Sequence, residues 1–315
     1  MSDMLVSVCV ITYNHYNYIR QCLDGIIMQQ TSFPFEIIIN DDCSTDGTTE
    51  IIKEYVTKYP DIIRPIFHEE NQYSKGVRGM FAKYCFPKAR GKYIALCEGD
   101  DYWTDPLKLQ KQYEILERDN TKSICFTKVK VVDRHGVSLN KTIPLQSVIN
   151  KGTVTLKKYT REEFFHGRWT FHTSSFFLRK SIYDDMLNNE KDFIFSFPYL
   201  DLPLLLYFLY KANGYYLDEE TSNYRWNSGG YNTSIINNMD LAISDELRLI
   251  QGLKEFNRLS KYRYFYNVLF RILRARRLII RLQDAKGTLP ICVKSILRIY
   301  RILRYKILGL KYTYN

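Results

Sequence analysis

The sequence predicts an α/β fold: a mostly parallel central sheet wrapped by helices, followed by a basic helical extension. Three observations carry this. Between Leu5 and Glu117, short apolar β-branched runs alternate with helical spacings in the order β-α-β-α-β-α-β. Three of the strand-like runs end in polar groups: Thr12-Tyr13-Asn14, Asp41-Asp42 and Glu98-Gly99-Asp100-Asp101. Lys261 to Asn315 holds 14 Lys/Arg and one acid, Asp284, a net +13 in a chain of net +11.

Leu5 to Thr12 is predicted as a buried strand. Helical spacing follows over Asn17 to Gln29. Phe35 to Ile39 is a second strand, Ser44 to Thr48 a turn with helix-start chemistry, and the next helix runs to about Tyr59. Ile62 to Phe67 is a third strand, and Val77 to Phe86 a helix. Tyr93 to Cys97 is a strand, and Leu107 to Glu117 a helix opened by Asp105-Pro106. Beyond Ser123 the pattern loosens. Strands are expected at Ile124 to Asp133, Thr173 to Leu178 and Tyr215 to Arg225, and an apolar helix at Leu202 to Tyr210. Val137 to Val148 reads as a loop or hairpin, and Ser228 to Asn232 as a loop.

At 315 residues and 45% hydrophobic content the chain can bury a large core. Its positive charge belongs to the tail, since the other 260 residues sum to −2. That argues against a whole-protein nucleic-acid surface. The seven cysteines are scattered with no CxxC pair, as buried thiols in a reducing compartment would be. No signal peptide is visible. The low-charge window Phe193 to Tyr210 carries Asp201 and two prolines, unlike a membrane span.

The acid cluster is the most informative stretch. An apolar strand that ends in three carboxylates within four residues is unfavourable unless a cation is held there. In parallel sheets ligands sit beyond the carboxyl ends of the strands, where all three polar strand ends converge.

The segments Val6 to Asn14, Asn40 to Thr48 and Gly91 to Asp101, in this order and spacing, resemble family 2 glycosyltransferases. These are inverting enzymes of GT-A fold that use nucleotide-diphosphate sugars. The resemblance covers about residues 4–120 well and continues loosely to about 235. It implies a glycosyltransferase domain over 1–240, with a nucleotide-binding half at about 1–120 and an acceptor half at about 121–240, and a helical extension over 241–315.

Carried over residue by residue, the resemblance implies that Thr12, Tyr13 and Asn14 line the base and ribose. Asp42 would accept from a uracil ring N–H, with Ser44 and Asp46 taking the turn and cap roles. Glu98-Gly99-Asp100 stands where the family has Asp-x-Asp. Asp100 would hold Mg²⁺ or Mn²⁺, and Glu98, one methylene longer, the ribose or a metal-bound water. The family's base is an Asp or Glu 80–110 residues further on, at a helix start. Asp201 fits, and its apolar flanks suit a raised pKa; the structural alternative is a helix cap. Asp192 is the runner-up, with Asp184 and Asp185 behind it. His172 falls near the acceptor, and Trp169 is placed either to stack on a sugar or to pack in the core. Tyr224 to Gly230 resembles a Tyr-Arg-x-His-x-Gly-Gly segment in which Asn227 replaces the His and Arg225 is placed to pair with diphosphate. Position 222 is Ser, and no membrane helices follow, so a processive synthase is not expected.

The expected activity is transfer of one sugar from a UDP-linked donor to a carbohydrate acceptor, by analogy lipid-linked and destined for a bacterial surface polysaccharide. Competing readings are a nucleotidyltransferase, which usually carries a Gly-rich loop after the first strand, and a non-catalytic sugar-nucleotide-binding module. The tail has two readings. Arg263, Arg271, Arg274, Arg277 and Arg281 fall opposite Phe265, Val268, Leu269, Ile272, Ile279 and Ile280, and Ile291 to Leu310 repeats the pattern. Such helices either lie on an anionic membrane, at its cytoplasmic face, or pack on the domain with a solvated basic side.

Overall fold

The computed structural model describes residues 4–145, 149–167, 170–226 and 238–285. Trp169, Asn227, the 228–232 loop and the 291–310 stretch lie outside the described residues.

Ten strands form one sheet: β1 (Val6–Thr12), β2 (Phe35–Asp41), β3 (Ile63–Phe67), β4 (Tyr93–Glu98), β5 (Tyr102–Trp103), β6 (Lys122–Val132), β7 (Ser138–Ile143), β8 (Gly152–Val154), β9 (Phe177–Arg179) and β10 (Asn213–Arg225). Their order is β3-β2-β1-β4-β9-β6-β10-β5, with β7 beside β6 and β8 beside β10. β3, β2, β1 and β4 are parallel, and β6 and β10 are parallel to each other. β9 runs antiparallel between β4 and β6 and joins the two halves. Pro65, which has no N–H to give, sits in β3, an edge strand where that loss is tolerated.

The helices are α1 (Ile19–Ile27), α2 (Thr48–Lys58), α3 (Lys108–Arg118), α4 (Leu156–Thr160), α5 (Lys180–Asn189), α6 (Lys191–Phe195), α7 (Asp201–Lys211), α8 (Met239–Leu259) and α9 (Phe265–Ala285). The predicted 77–86 helix is a single π-helical turn, Phe81–Cys85, then a 3-10 turn at Phe86–Lys88. Pro87 prevents a regular continuation.

The strands alternate between two apolar layers, as their period of two requires. Val6, Val8, Val10, Ile37, Ile39, Ala95 and Cys97 pack with the side chains of α1, α2 and α3. Cys9, Ile38, Ile94 and Leu96 face the other core, which α5, α7, α8 and α9 cover. Because both faces are covered, β1 reads as a continuous apolar run. Among the described residues all the cysteines are free thiols, and those in the strands are buried.

One pairing was not anticipated. β5 pairs antiparallel with β10 through Ser222–Trp103 and Asn223–Tyr102, which locks the segment after the acid cluster onto the last strand. Two residues are too short a signal for sequence periodicity to reveal. Helix α8 falls where the helical extension was expected to begin, and its Gly252 leaves no room for a Cβ: an added one would lie 2.6 Å from the Phe197 ring.

The tail reading is sharpened. Val268, Ile272, Ala275 and Ile279 of α9 are buried in the main core, so this helix packs its apolar face on the domain. Phe265, expected on that face, is exposed. Arg271, expected on the solvated side, turns inward beside the buried stripe, three residues past Val268. No described helix is long and apolar enough to cross a membrane.

Candidate active site

The carboxyl ends of β1, β2 and β4 open on one side of the sheet. β4 ends at Glu98, and the chain turns there with Gly99 N–H donating to the Ile11 carbonyl (2.8 Å) and Asp101 N–H to the Glu98 carbonyl (2.9 Å). The turn presses so closely on the end of β1 that a Cβ on Gly99 would lie 2.6 Å from Thr12 Oγ1 and 2.9 Å from His15 Nδ1. Only glycine fits, which gives the middle of the acid motif a purely steric reason.

The three acids that flank it have different surroundings. Asp101 is buried: its Oδ1 accepts from Arg225 N–H (3.0 Å), and its Oδ2 accepts from the Ser174 hydroxyl. Burial, and then the Asp100 and Glu98 charges, push its carboxyl well up. Asp100 is 7% exposed and lines a cavity of about 580 Å³, with His15 Nε2 3.9 Å from its Oδ2. Glu98 lines the same cavity. Burial, then the charges of Asp100 and Asp201, raise it to about 8.

Asp201 is the first residue of α7 and lines this cavity too. Its Oδ1 accepts from the adjacent Leu202 N–H (2.8 Å), at the start of the helix. Burial among apolar neighbours raises its carboxyl to about 6. The other acids considered lie outside the lining. Asp192 is exposed, Asp184 pairs with Lys180, and Asp185 pairs with Lys211.

His172 lines the cavity, but burial takes it down to about 3, so it is neutral. Its ring packs 4.1 Å from Tyr224, and its Nδ1 lies 3.0 Å from Ser174 Oγ. Arg225 also reaches the lining, yet its guanidinium is engaged by protein oxygens. Nε donates to the Asp100 carbonyl (2.8 Å), Nη2 to Gln21 Oε1 (2.6 Å) and Nη1 to the Arg134 carbonyl (3.4 Å). Arg225 thereby holds the acid turn in place.

Thr12, Tyr13, Asn14 and Asp42 lie beside the cavity rather than in its lining. Asp42 N–H donates to the Thr12 carbonyl (3.0 Å), which ties the two strand ends together. The Asp42 carboxylate accepts from Gln72 N–H (2.8 Å) and Tyr73 N–H (3.0 Å), one on each oxygen, and keeps a lone pair free on both. Asn14 Oδ1 accepts from Thr45 N–H (2.8 Å). The Tyr13 ring is 44% exposed, an open face beside that pair. Asp46 accepts from Thr48 N–H and hydroxyl in the turn that leads into α2, whose N-cap position is Gly47.

The lining also holds residues that sequence reasoning did not single out for the site, among them Arg78, Tyr159, Glu163 and Arg271. Arg78 follows β3 and stacks 4.1 Å over the Tyr73 ring. Glu163 is raised to about 7 by burial, and its Oε2 accepts from Thr170 N–H (3.1 Å) and hydroxyl (2.9 Å). None sits in a motif, and Arg271 comes from a helix that reads as a solvated basic face.

Comparison with known proteins agrees with this architecture. Residues 7–187 match the family model Glycosyl transferase family 2. An uncharacterised Mycobacterium tuberculosis protein is 48% identical over 140 residues, 44% of this chain and 39% of that one. TuaG of Bacillus subtilis, named for teichuronic acid biosynthesis, is 34% identical over 140 residues, 44% of this chain and 52% of its own. The matches thus span about half or less of these relatives. Among solved structures, S. aureus TarS 1-349 in complex with UDP-GlcNAc superposes at TM-score 0.58 with 19% identity, covering 99% of this chain and 94% of that one. A mannosyltransferase of Pyrobaculum calidifontis in complex with GDP-Man and Mn²⁺ superposes at TM-score 0.53 with 14% identity, covering 95% and 79%. The fold is the GT-A glycosyltransferase fold. With its three strand-end motifs inside the matched region and its acids gathered over the sheet, the chain belongs to glycosyl transferase family 2.

Proposed function

We propose that the protein is a metal-dependent, inverting glycosyltransferase that moves a sugar from a UDP-linked donor to a carbohydrate acceptor in surface-polysaccharide synthesis. The observation that carries this is the convergence of Asp100 and Asp201 on one cavity, from sequence positions about a hundred residues apart.

The acids of the turn suit a divalent cation. Asp100 lines the cavity, and the raised Glu98 reflects carboxylates that oppose one another's charge. Among the described residues no three His, Cys, Asp or Glu form a cage. That fits Mg²⁺ or Mn²⁺ held by one or two carboxylates and completed by substrate oxygens and water. Asp100 is the ligand proposed, with Glu98 beside it. The cation would neutralise the leaving diphosphate as a Lewis acid. On the nucleoside side, Asp42 keeps lone pairs for a ring N–H, Thr12 and Asn14 hold the strand ends, and the open Tyr13 ring faces the base.

Asp201 serves as the base. Raised to about 6, it is ionised at neutral pH yet basic enough to take the acceptor hydroxyl proton. That oxygen bonds to the anomeric carbon from the face opposite the diphosphate, whose bond to that carbon breaks. A single displacement inverts the centre and needs no enzyme nucleophile. The cavity keeps water from competing for the anomeric carbon.

The UDP preference draws on the UDP-GlcNAc complex of TarS, and the polysaccharide context on the name of TuaG. A lipid-linked acceptor, with the basic tail on the cytoplasmic face of an anionic membrane, completes the reading. The test is thermal shift with a panel of nucleotide sugars, with and without Mn²⁺. A Mn²⁺-dependent rise in Tm with UDP-sugars is expected. No shift with any nucleotide would refute the proposal.

A further inference from the structure

The wall of the cavity around Asp201 is built by parts of the chain that lie outside the strand-end motifs. Tyr159 comes from α4, Glu163 from the π-helical turn after it, Tyr199 from the approach to α7, and Arg271 from α9. Tyr159 is only 2% exposed, and among the described residues neither its hydroxyl nor that of Tyr199 has a hydrogen-bond partner. A buried hydroxyl left open to a cavity calls for a partner from outside the protein. Glu163 adds to this: Thr170 holds one of its oxygens and leaves the other free.

The charges choose among ligands. Tyr199 feels Arg271, Asp201, Glu246 and Glu163 together, three carboxylates around one guanidinium. Arg271 is already within 3.6 Å of Glu246. At this wall the carboxylates outnumber the one guanidinium, so an anion approaching them would be repelled in a water-poor site. Hydroxyl groups suit every member of the wall, since carboxylates accept from them, the guanidinium donates to them, and tyrosines do both.

Resting on the glycosyltransferase reading, we propose that Tyr159, Glu163, Tyr199 and Arg271 form the acceptor subsite. It takes an uncharged glycosyl residue through its hydroxyls and excludes one that carries a carboxylate or phosphate. Helix α9, beyond the region matched by the family model, is thereby part of the site and a determinant of acceptor choice.

The experiment uses the full chain and a donor that binds in the thermal-shift panel. Nucleotide release is measured with methyl glycosides of glucose, galactose, mannose and N-acetylglucosamine, against methyl glucuronoside and glucose 6-phosphate. At least one neutral glycoside should be used with kcat/KM tenfold or more above either charged sugar. Glu163→Gln and Arg271→Gln should each raise the acceptor KM tenfold or more, with the donor KM within twofold. Tyr159→Phe, which removes only an oxygen, should raise the acceptor KM about fivefold and serves where a charge change disturbs packing. Preference for a charged sugar overturns the proposal, as does an unchanged acceptor KM in Tyr159→Phe and Glu163→Gln. A protein that binds donors but responds to no neutral glycoside also overturns it. One that binds no nucleotide sugar refutes the glycosyltransferase reading itself.

Discussion

Arg225, at the end of β10, donates from Nε to the carbonyl oxygen of Asp100 at 2.8 Å, so the last strand of the sheet fixes the turn that carries the acid cluster. The same guanidinium lies between the Tyr18 and Tyr102 rings, 4.8 and 4.9 Å from their centroids, and its backbone N–H holds Asp101. A planar fork makes these bonds at once, and an ammonium does not. Arg225→Lys is therefore expected to lower metal-dependent nucleotide affinity about tenfold and stability by about 1–3 kcal/mol. Calorimetric titration and urea unfolding check this.

Asp201 couples chemistry to stability, and the sign follows from its direction of shift. Its folded-state value, about 6, lies above the ordinary carboxylate value. The buried ionised form is thus a destabilising load that grows as pH rises from about 4 to about 6 and is fully present at neutral pH. Asp201→Asn should stabilise the protein by about 1–3 kcal/mol at pH 7.5, and the gain should vanish as pH falls towards 4. Unfolding curves across this range measure it. In the wild type, kcat should fall about tenfold per pH unit below about 6, as the base becomes protonated.

At the opposite end of the sheet, Glu36 is fully buried. It accepts from the Ser7 hydroxyl (2.7 Å) and Arg90 (2.8 Å), and pairs with Arg64 (3.0 Å). Burial opposes its charge, but the bonds from Arg90 and Ser7 outweigh it and hold the carboxyl below its usual range. Glu36→Gln should lower stability by about 1–3 kcal/mol, because both arginines are half exposed and recover water. Nucleotide affinity should not change, which separates this end from the site.

The tail divides into two tests. Deleting residues 261–315 removes Val268, Ile272, Ala275 and Ile279 from the core, and should destabilise the domain by more than about 4 kcal/mol. Deleting 286–315 alone should leave the melting temperature within a few degrees but reduce sedimentation with anionic vesicles several-fold. Unchanged vesicle binding would remove the membrane proposal.

The nucleotide half was legible because local signals coincide there. β1, β2 and β4 are apolar runs that end in polar residues, and a two-sided parallel sheet writes that pattern directly into the chain. Asp201 was legible as a lone carboxylate among Phe, Leu and Pro at a helix start. The wall around it was not. Glu163 looks like one charge in the solvated run Arg161-Glu162-Glu163, and Arg271 shares its period with arginines that do face solvent. Their places in the lining come from how α9 packs on the π-helical turn after α4, a long-range relation that no local period records. Arg225 was found at its position, but its partners Asp100 and Gln21 lie 125 and 204 residues away.

The central claim is that Asp100 and Asp201 act in one cavity on opposite sides of the transferred sugar. Donor affinity and transfer rate, measured together on Asp100→Asn and Asp201→Asn, test it most directly. Asp100→Asn should lose Mn²⁺-dependent nucleotide binding and turnover, whereas Asp201→Asn should keep donor affinity within about twofold and lose at least about 100-fold in transfer. Turnover retained by Asp100→Asn, or donor affinity lost by Asp201→Asn, would contradict the account.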